Sequence, residues 1–369
     1  MTLTAPPLPV APAASKAAPS ASPQAPQQRL MGLIEAARLI ASGQPCCVAG
    51  DPSLLTQLPR GTWIGGSTAW FVEAGGGQCR RDQLFVTTWP RWPAGSTSGA
   101  PQVVRHDAHS LRGLCEEAPP HGLTVLLLPA FSRVHEAFAQ EAPDYPGMYL
   151  NPLVGWIAGV HADQGPQARP GVLHGPSGEW LEDAAVALHL PLPEGVHAHV
   201  DIINLWQAGD GPVLEFEAGG FGARHARIDG QRRPLAAWLR EQGAAGHGPL
   251  VADYCGAAIN VSLREVPVPD AQDEAPEVRF FAPVFPGVAY RLARPVQDGP
   301  AAFARELAQR PLPAPPSFSC HCILEFAPAG STVAMGPSPG DFPGPVAFGE
   351  IGYQLLNQTL VYLSLVGEA

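Results

Sequence analysis

A chain of 369 residues is long enough for a sizeable hydrophobic core and, by length, for two domains or two halves of one unit. With 46% hydrophobic and 15% charged residues the composition is globular, and a net charge of -11 without a long Lys/Arg run leaves no electrostatic footprint for nucleic acid. Seven cysteines, odd in number and irregularly spaced, do not form a disulfide framework, and no apolar run reaches the length of a membrane span. The expectation is a cytoplasmic protein with reduced thiols, no nucleic-acid partner and no membrane insertion.

Residues 1–28 are rich in Ala, Pro, Ser and Gln, with Lys16 their only charge. Prolines block helix and ladder hydrogen bonds, and no apolar stretch follows a basic start, so a disordered tail is predicted rather than a secretory signal. Leu30, Leu33, Ile34, Ala37 and Ile40 share one helical face that Gly43 would end. Short strands are then predicted at 46–49, 63–64, 69–73 and 84–88, punctuated by Gly65-Gly66 and Gly75-Gly76-Gly77. After a Pro/Gly/Ser-rich loop at 90–101 come a weak helix at 110–117, a buried strand at 123–128 and a helix capped by Ser132 and running to Phe138. Strands follow at 156–160, 184–190 and 196–205. In the last of these, Val196, Ala198, Val200 and Ile202 alternate with His197, His199, Asp201 and Ile203, the period of a half-buried strand.

A second unit is predicted from about residue 213. The stretch 226–231 reads as a strand with an Asp229-Gly230 hairpin turn, and Pro234 stands early in a helix that continues to Arg240. Strands at 257–266, 278–283 and 288–293, a helix at 301–309, and strands at 318–326, 346–351 and 359–365 complete the pattern. The fold class is α+β with two mixed-sheet units: a tail at 1–28, an N-terminal domain at 29–212 and a C-terminal domain at 213–369.

The candidate site residues are few. Glu350 stands alone between Gly349 and Ile351-Gly352 in an apolar strand, and such a carboxylate must find a hydrogen-bond partner or become neutral. It is read as a ligand-binding residue, with Gly349 and Gly352 leaving room for the ligand. The other reading is a carboxylate held by backbone N–H groups. Asn357 is a turn residue or a ligand contact. In Ser319-Cys320-His321-Cys322 the two cysteines share a strand face and His321 points the other way, a poor zinc geometry, so Cys320 faces a pocket or packs as a small hydrophobe. Gly65, Gly66 and Ser67 form a turn whose backbone N–H groups can hold an anion, or a structural β-turn. His197, His199 and Asp201 are three potential metal ligands on one strand face, read as solvated or hydrogen-bonded with a metal site completed by another element as the alternative, and His106-x-x-His109 is read as surface loop. Neither a G-x-S-x-G elbow nor a phosphate-binding G-x-x-x-x-G-K-[ST] loop occurs, so no catalytic set is assembled in the sequence.

Four of these segments carry a resemblance. Gly349-Glu350-Ile351-Gly352 followed by Asn357-Gln358-Thr359-Leu360, the Asp229-Gly230 turn leading into Pro234-Leu235-Ala236, and Ser319-Cys320 before a polar position resemble FIST proteins, a bacterial sensory-domain family. Trp63-Ile64-Gly65-Gly66-Ser67-Thr68 is similar to that family's N-terminal G-x-S-T element, but departs from it at Ala69-Trp70, where a small residue and glycine are usual. The resemblance implies FIST-like halves, a small-molecule ligand with amino acids among the candidates, no cofactor, and transmission to a separate signalling partner, since no output segment is recognised in the sequence. Two rivals stand beside it: a haem-binding gas sensor with His197, His199 or His321 as axial ligand, and an enzyme using Glu350 as acid/base or Cys320 as nucleophile.

Overall fold

The structure, a computed structural model, describes residues 27–91, 99–164, 168–243, 248–254, 257–271, 273–310, 312–326 and 342–367. The expected tail therefore lies almost wholly outside the described residues. Order begins earlier than Leu30, with the strand Gln28–Met31. Leu30 belongs to this strand rather than to the helix, because Gly32 adopts an extended conformation and caps the helix Leu33–Ala41.

Strand dominates in an α+β arrangement of five sheets. The first runs in spatial order Gln28–Met31, Leu84–Thr88, Cys46–Gly50, Trp63–Ser67, Val172–His174 and Glu179–Leu181. The second runs Gln354–Leu356, Glu350–Gly352, Leu153–Ala158, Gly122–Pro129, Ala185–Pro191 and Gln102–His106. The third runs Val196–Ile203, Leu360–Gly367, Pro316–Cys322, Gly344–Ala347, Trp70–Glu73 and Gly76–Cys79. Residues 214–292 supply every strand of the fourth and fifth sheets, and these begin where the second unit was expected. From Pro316 on, however, the chain returns to the second and third sheets, alongside strands from residues 70–203.

Side-chain alternation explains the layering. Cys47 and Ala49 face the second and third sheets, where they meet Val125, Leu127, Trp156, Phe318 and Leu363, while Cys46 and Val48 face the helix Leu33–Ala41. In the second sheet Leu126 and Leu128 turn the other way, toward the helix Arg133–Glu141, the helix Leu235–Glu241 and the fourth and fifth sheets. Both faces of Gly122–Pro129 are thus covered, which is why its sequence is a continuous apolar run rather than an alternating one.

One expected strand proves to be two. Residues 346–351 divide into Gly344–Ala347 of the third sheet and Glu350–Gly352 of the second, and Phe348-Gly349 carries the chain between them. Likewise the expected strand 318–326 ends at Cys322 and passes into the short helix Ile323–Phe326.

Close approach of backbones constrains the second sheet at Gly155. A Cβ there would fall on the carbonyl oxygen of Leu126, its parallel neighbour. Gly155→Ala should lower unfolding stability by about 3 kcal/mol in a urea titration, the upper range for overpacking. Gly75→Ala, where a Cβ meets nothing within 4 Å, should change it by less than about 0.5 kcal/mol.

Candidate functional site

Glu350 is fully buried and pairs with Trp156 on one side and Leu356 on the other. Its Oε1 accepts from the Thr359 backbone N–H at 3.0 Å and the Thr359 hydroxyl at 3.2 Å, closing the turn between the last two strands. Oε2 has no partner among the described residues. Burial, reinforced by Glu325, raises the carboxyl well above its ordinary value of 4.5, which favours the neutral form. Glu325 itself is pushed up to about 7 by burial.

The glycines around it are filled by protein. A Cβ at Gly349 would meet Leu355 at 2.9 Å and Ile157 at 3.1 Å, and one at Gly352 would meet Ile202 and Leu356, each at 3.2 Å. Asn357 is buried, its Nδ2 donating to the Leu356 carbonyl and its Oδ1 unpartnered among the described residues. The turn at 357–358 is also held from residues 260–262: Asn260 Nδ2, in the fourth sheet, donates to the Asn357 carbonyl at 3.0 Å, and the hydroxyl of Ser262, just past that strand, donates to Gln358 Oε1 at 2.8 Å.

Gly65, Gly66 and Ser67 are not a turn. They lie in Trp63–Ser67, an inner strand of the first sheet, bonded on both sides, because parallel pairing with Cys46–Gly50 continues through all three positions. Their glycines admit aromatic neighbours: a Cβ at Gly66 would meet Trp156 Nε1 at 2.7 Å and one at Gly65 would meet Trp63 at 2.9 Å. The Ser67 backbone N–H donates to the Gly171 carbonyl, and the Ser67 hydroxyl accepts from the Gly171 N–H at 3.1 Å. These N–H groups are consumed by the sheet and hold no anion.

The histidines and cysteines divide in the same way. Cys320 and Cys322 are buried and their thiols raised well above 9.0 by burial, with Glu350 adding to it, which opposes thiolate formation at neutral pH. His321 is buried with Nε2 2.8 Å from the Phe342 carbonyl, and burial lowers it to about 4. His197 and His199 lie exposed, whereas Asp201 accepts from Tyr362 and pairs with Arg310. His109 is exposed as expected, but His106 is buried at 1% and faces the protein interior, so the two do not form a pair.

A cavity with chemistry lies elsewhere, at the end of the strand Gly122–Pro129. Ala130-Phe131 turns the chain into the helix Arg133–Glu141, and Ser132 caps that helix by accepting from the His135 N–H. Phe131 takes φ 61°, a left-handed conformation that an aromatic residue adopts at a cost of about 1–3 kcal/mol. Three contacts hold it there. Its N–H donates to His135 Nδ1 at 3.2 Å, its ring meets Phe348 edge-on at 6.2 Å, and the Arg264 guanidinium sits 4.6 Å over the ring centroid.

His135 is buried and neutral, lowered by burial to about 4. Because Nδ1 accepts the Phe131 N–H, the ring proton is on Nε2, and Nε2 has no partner among the described residues. The cavity it lines measures about 270 Å³. Phe131, Phe221 and Phe280 give it aromatic walls, and Glu136, Glu277, Arg264 and Arg279 bring both signs of charge. Glu277 and Arg279 are 3.5 Å apart. The arrangement suits a small molecule that carries both an acidic and a basic group. None of the residues singled out in the sequence lines it. The one signal present there was the Ser132 cap following a buried strand; Arg264 and Arg279 arrive from the fifth sheet, far off in sequence.

A larger, open groove of about 760 Å³ surrounds Asp51. Burial works against ionisation of Asp51, but hydrogen bonds from Ser53 and Arg81 hold its carboxyl below the ordinary range. Its oxygens are taken up by Ser53, Arg81 and Gln164, which makes it the cap of the helical turn Pro52–Leu55 and leaves little for a ligand.

Fold and cavity together define a strand-rich α+β protein with a partly open polar site beneath an aromatic turn. The chain belongs to the family of unknown function DUF6976, whose profile matches residues 31–366. No curated protein matches it. Among the described residues no helix is long and apolar enough to cross a membrane, and the six described cysteines are free.

The raised Glu350 carboxyl makes stability pH-dependent with a definite sign. The folded state keeps a proton that the unfolded chain releases above about pH 4.5, so the stability this group contributes is fully present below that value and is lost as pH rises toward the folded pKa. While Glu350 remains protonated in the fold, it contributes a slope of about 1.4 kcal/mol per pH unit. The buried His135, His189 and His321, lowered to about 4, act in the opposite sense over pH 5 to 6.5, so the Glu350 contribution is read as a difference between proteins. Glu350→Gln, which has no proton to lose, should gain stability relative to the wild type as pH rises from 5 to 7 in urea titrations, and an unchanged difference would show that Glu350 does not carry the effect.

Proposed function

We propose that this protein is a small-molecule-binding sensory protein of the cytoplasm whose ligand occupies the cavity at His135, and whose bound state is read by a separate partner. One observation carries the reading: a partly open cavity lined by His135, whose buried Nε2 has no partner among the described residues, is bordered by arginines and glutamates together. An amphoteric ligand of amino-acid size matches those groups, with Arg279 for a carboxylate, Glu277 or Glu136 for an ammonium, and the phenylalanines for an apolar remainder. The resemblance of the C-terminal strands, the Asp229-Gly230 element and the Ser319-Cys320 strand to FIST domains supports the same class of ligand and the same sensory role.

The route from ligand to output runs through Phe131. Its ring is shared between the cavity and Phe348, the residue at which the chain crosses from the third sheet to the second. A ligand that changes the Arg264–Phe131 contact changes the support of Phe348 and, one residue beyond Gly349, of Glu350.

A thermal-shift screen against the free amino acids and small carboxylates tests the proposal. A ligand at a hundredfold excess over its Kd should stabilise the fold by about 2.7 kcal/mol, and Arg279→Ala should weaken its binding at least tenfold. A panel without a stabilising compound, or a stabilisation that Arg279→Ala leaves unchanged, would overturn it.

A further inference from the structure

The second sheet carries a group of side chains that neither the cavity nor the C-terminal turn uses. His106 ends the edge strand Gln102–His106, and His189 lies on its neighbour Ala185–Pro191. The register sets His189 opposite Gln102 and Ala185 opposite His106, so both histidines project from the same sheet face, the one packed on Leu111 and Leu114. Their ring nitrogens and a Glu117 carboxylate oxygen all lie within 4.8 Å of one another. Ala187 stands between the two histidines, and a larger residue there would keep the rings apart.

Both imidazoles are 1% exposed, and in both Nε2 has no hydrogen-bond partner among the described residues. Each ring is fixed from its other side. His189 Nδ1 is 2.8 Å from the Thr124 hydroxyl, and His106 makes a backbone hydrogen bond at Ser110. Two buried, oriented nitrogens left open toward a single carboxylate are costly as a purely structural feature, because each forfeits a hydrogen bond it would make in water. The same atoms are suited to a cation. Histidine ligands that bind through Nε2 with Nδ1 held by a second group, together with one carboxylate, are the donor set of zinc and related first-row ions.

We propose that His106 Nε2, His189 Nε2 and the Glu117 carboxylate form a binding site for one divalent first-row transition ion, with solvent completing the coordination. Ligand atoms around tetrahedral zinc stand about 3.3 Å apart, given bonds of about 2.0–2.1 Å. Glu117 is exposed and supplies the movement needed to close from the present spacing. With one ligand at the surface, the ion exchanges with solvent rather than being locked in at folding.

Chelator-treated protein titrated with Zn2+ and, separately, with Co2+ tests this. The expected result is one equivalent bound per chain by elemental analysis and a saturable visible absorption band for Co2+. Affinity should drop at least tenfold in Glu117→Gln and binding should be lost in His189→Gln, while His109→Gln, which alters an exposed histidine outside the group, binds as the wild type does. Unfolding curves without metal check that each variant folds. If His189→Gln does not, Glu117→Gln decides, since that side chain is exposed. Absence of saturable one-to-one binding in the wild type, or equal affinity in Glu117→Gln, would overturn the proposal.

Discussion

The neutral carboxyl of Glu350 is the constraint on which the C-terminal architecture rests. An ionised carboxylate in that position would exchange its hydration for contacts to Thr359 and the Cys322 thiol alone, and so sparsely compensated a buried charge costs several kcal/mol, a large share of the stability of a typical domain. Protonation removes the charge and leaves one oxygen to accept from both the N–H and the hydroxyl of Thr359. That junction ties the start of the Glu350–Gly352 strand to the residue before the Leu360–Gly367 strand. Since the first lies in the second sheet and the other in the third, the same carboxyl fixes how those two sheets meet. Asn260 of the fourth sheet and Ser262 just beyond it then brace the turn, and the second, third and fourth sheets converge on a few residues.

The cavity stands one aromatic contact away from this junction. Phe131 is held in a left-handed conformation by a hydrogen bond to a neutral histidine, by a guanidinium over its ring and by Phe348 at its edge. Each support comes from a different part of the fold: the helix Arg133–Glu141, the strand Leu263–Glu265 and the crossover segment. A strained residue supported from several directions has a conformation that depends on all of them, which is the property a binding site needs if its occupancy is to be felt elsewhere.

Much of the fold was legible in the sequence wherever the cause was local. The apolar run around residue 125, the Ser132 cap and the Asp229-Gly230 turn all appear within a residue or two of their expected places, because each depends on a few neighbouring side chains and backbone angles. Gly65-Gly66 misled for a physical reason. Glycine pairs suggest a turn, but here they make room for Trp63 and Trp156 inside a sheet, and Trp156 arrives from a strand of another sheet. The crossover at Phe348-Gly349 was hidden because an apolar run does not say which sheet each of its residues joins. Glu350 was correctly picked out as anomalous, and its structural setting is a hydrogen-bonded turn closed in by apolar side chains. The charged lining of the cavity and the pairing of His106 with His189 were beyond local reading. Both groups are assembled by sheet register between distant segments, and only the register brings them together.

The position of Leu360–Gly367 has a consequence for how this protein comes into being. The strand lies inside the third sheet, between Val196–Ile203 and Pro316–Cys322, and contributes Val361 and Leu363 to the central core. Its neighbours are therefore synthesised well before it and must wait, with an open gap between them, until it leaves the ribosome. The third sheet cannot be completed strand by strand as the chain emerges. Such a long-range closure makes folding slow and leaves apolar edges exposed in the meantime, so nascent chains of this protein should be clients of chaperones that shield unpaired strands.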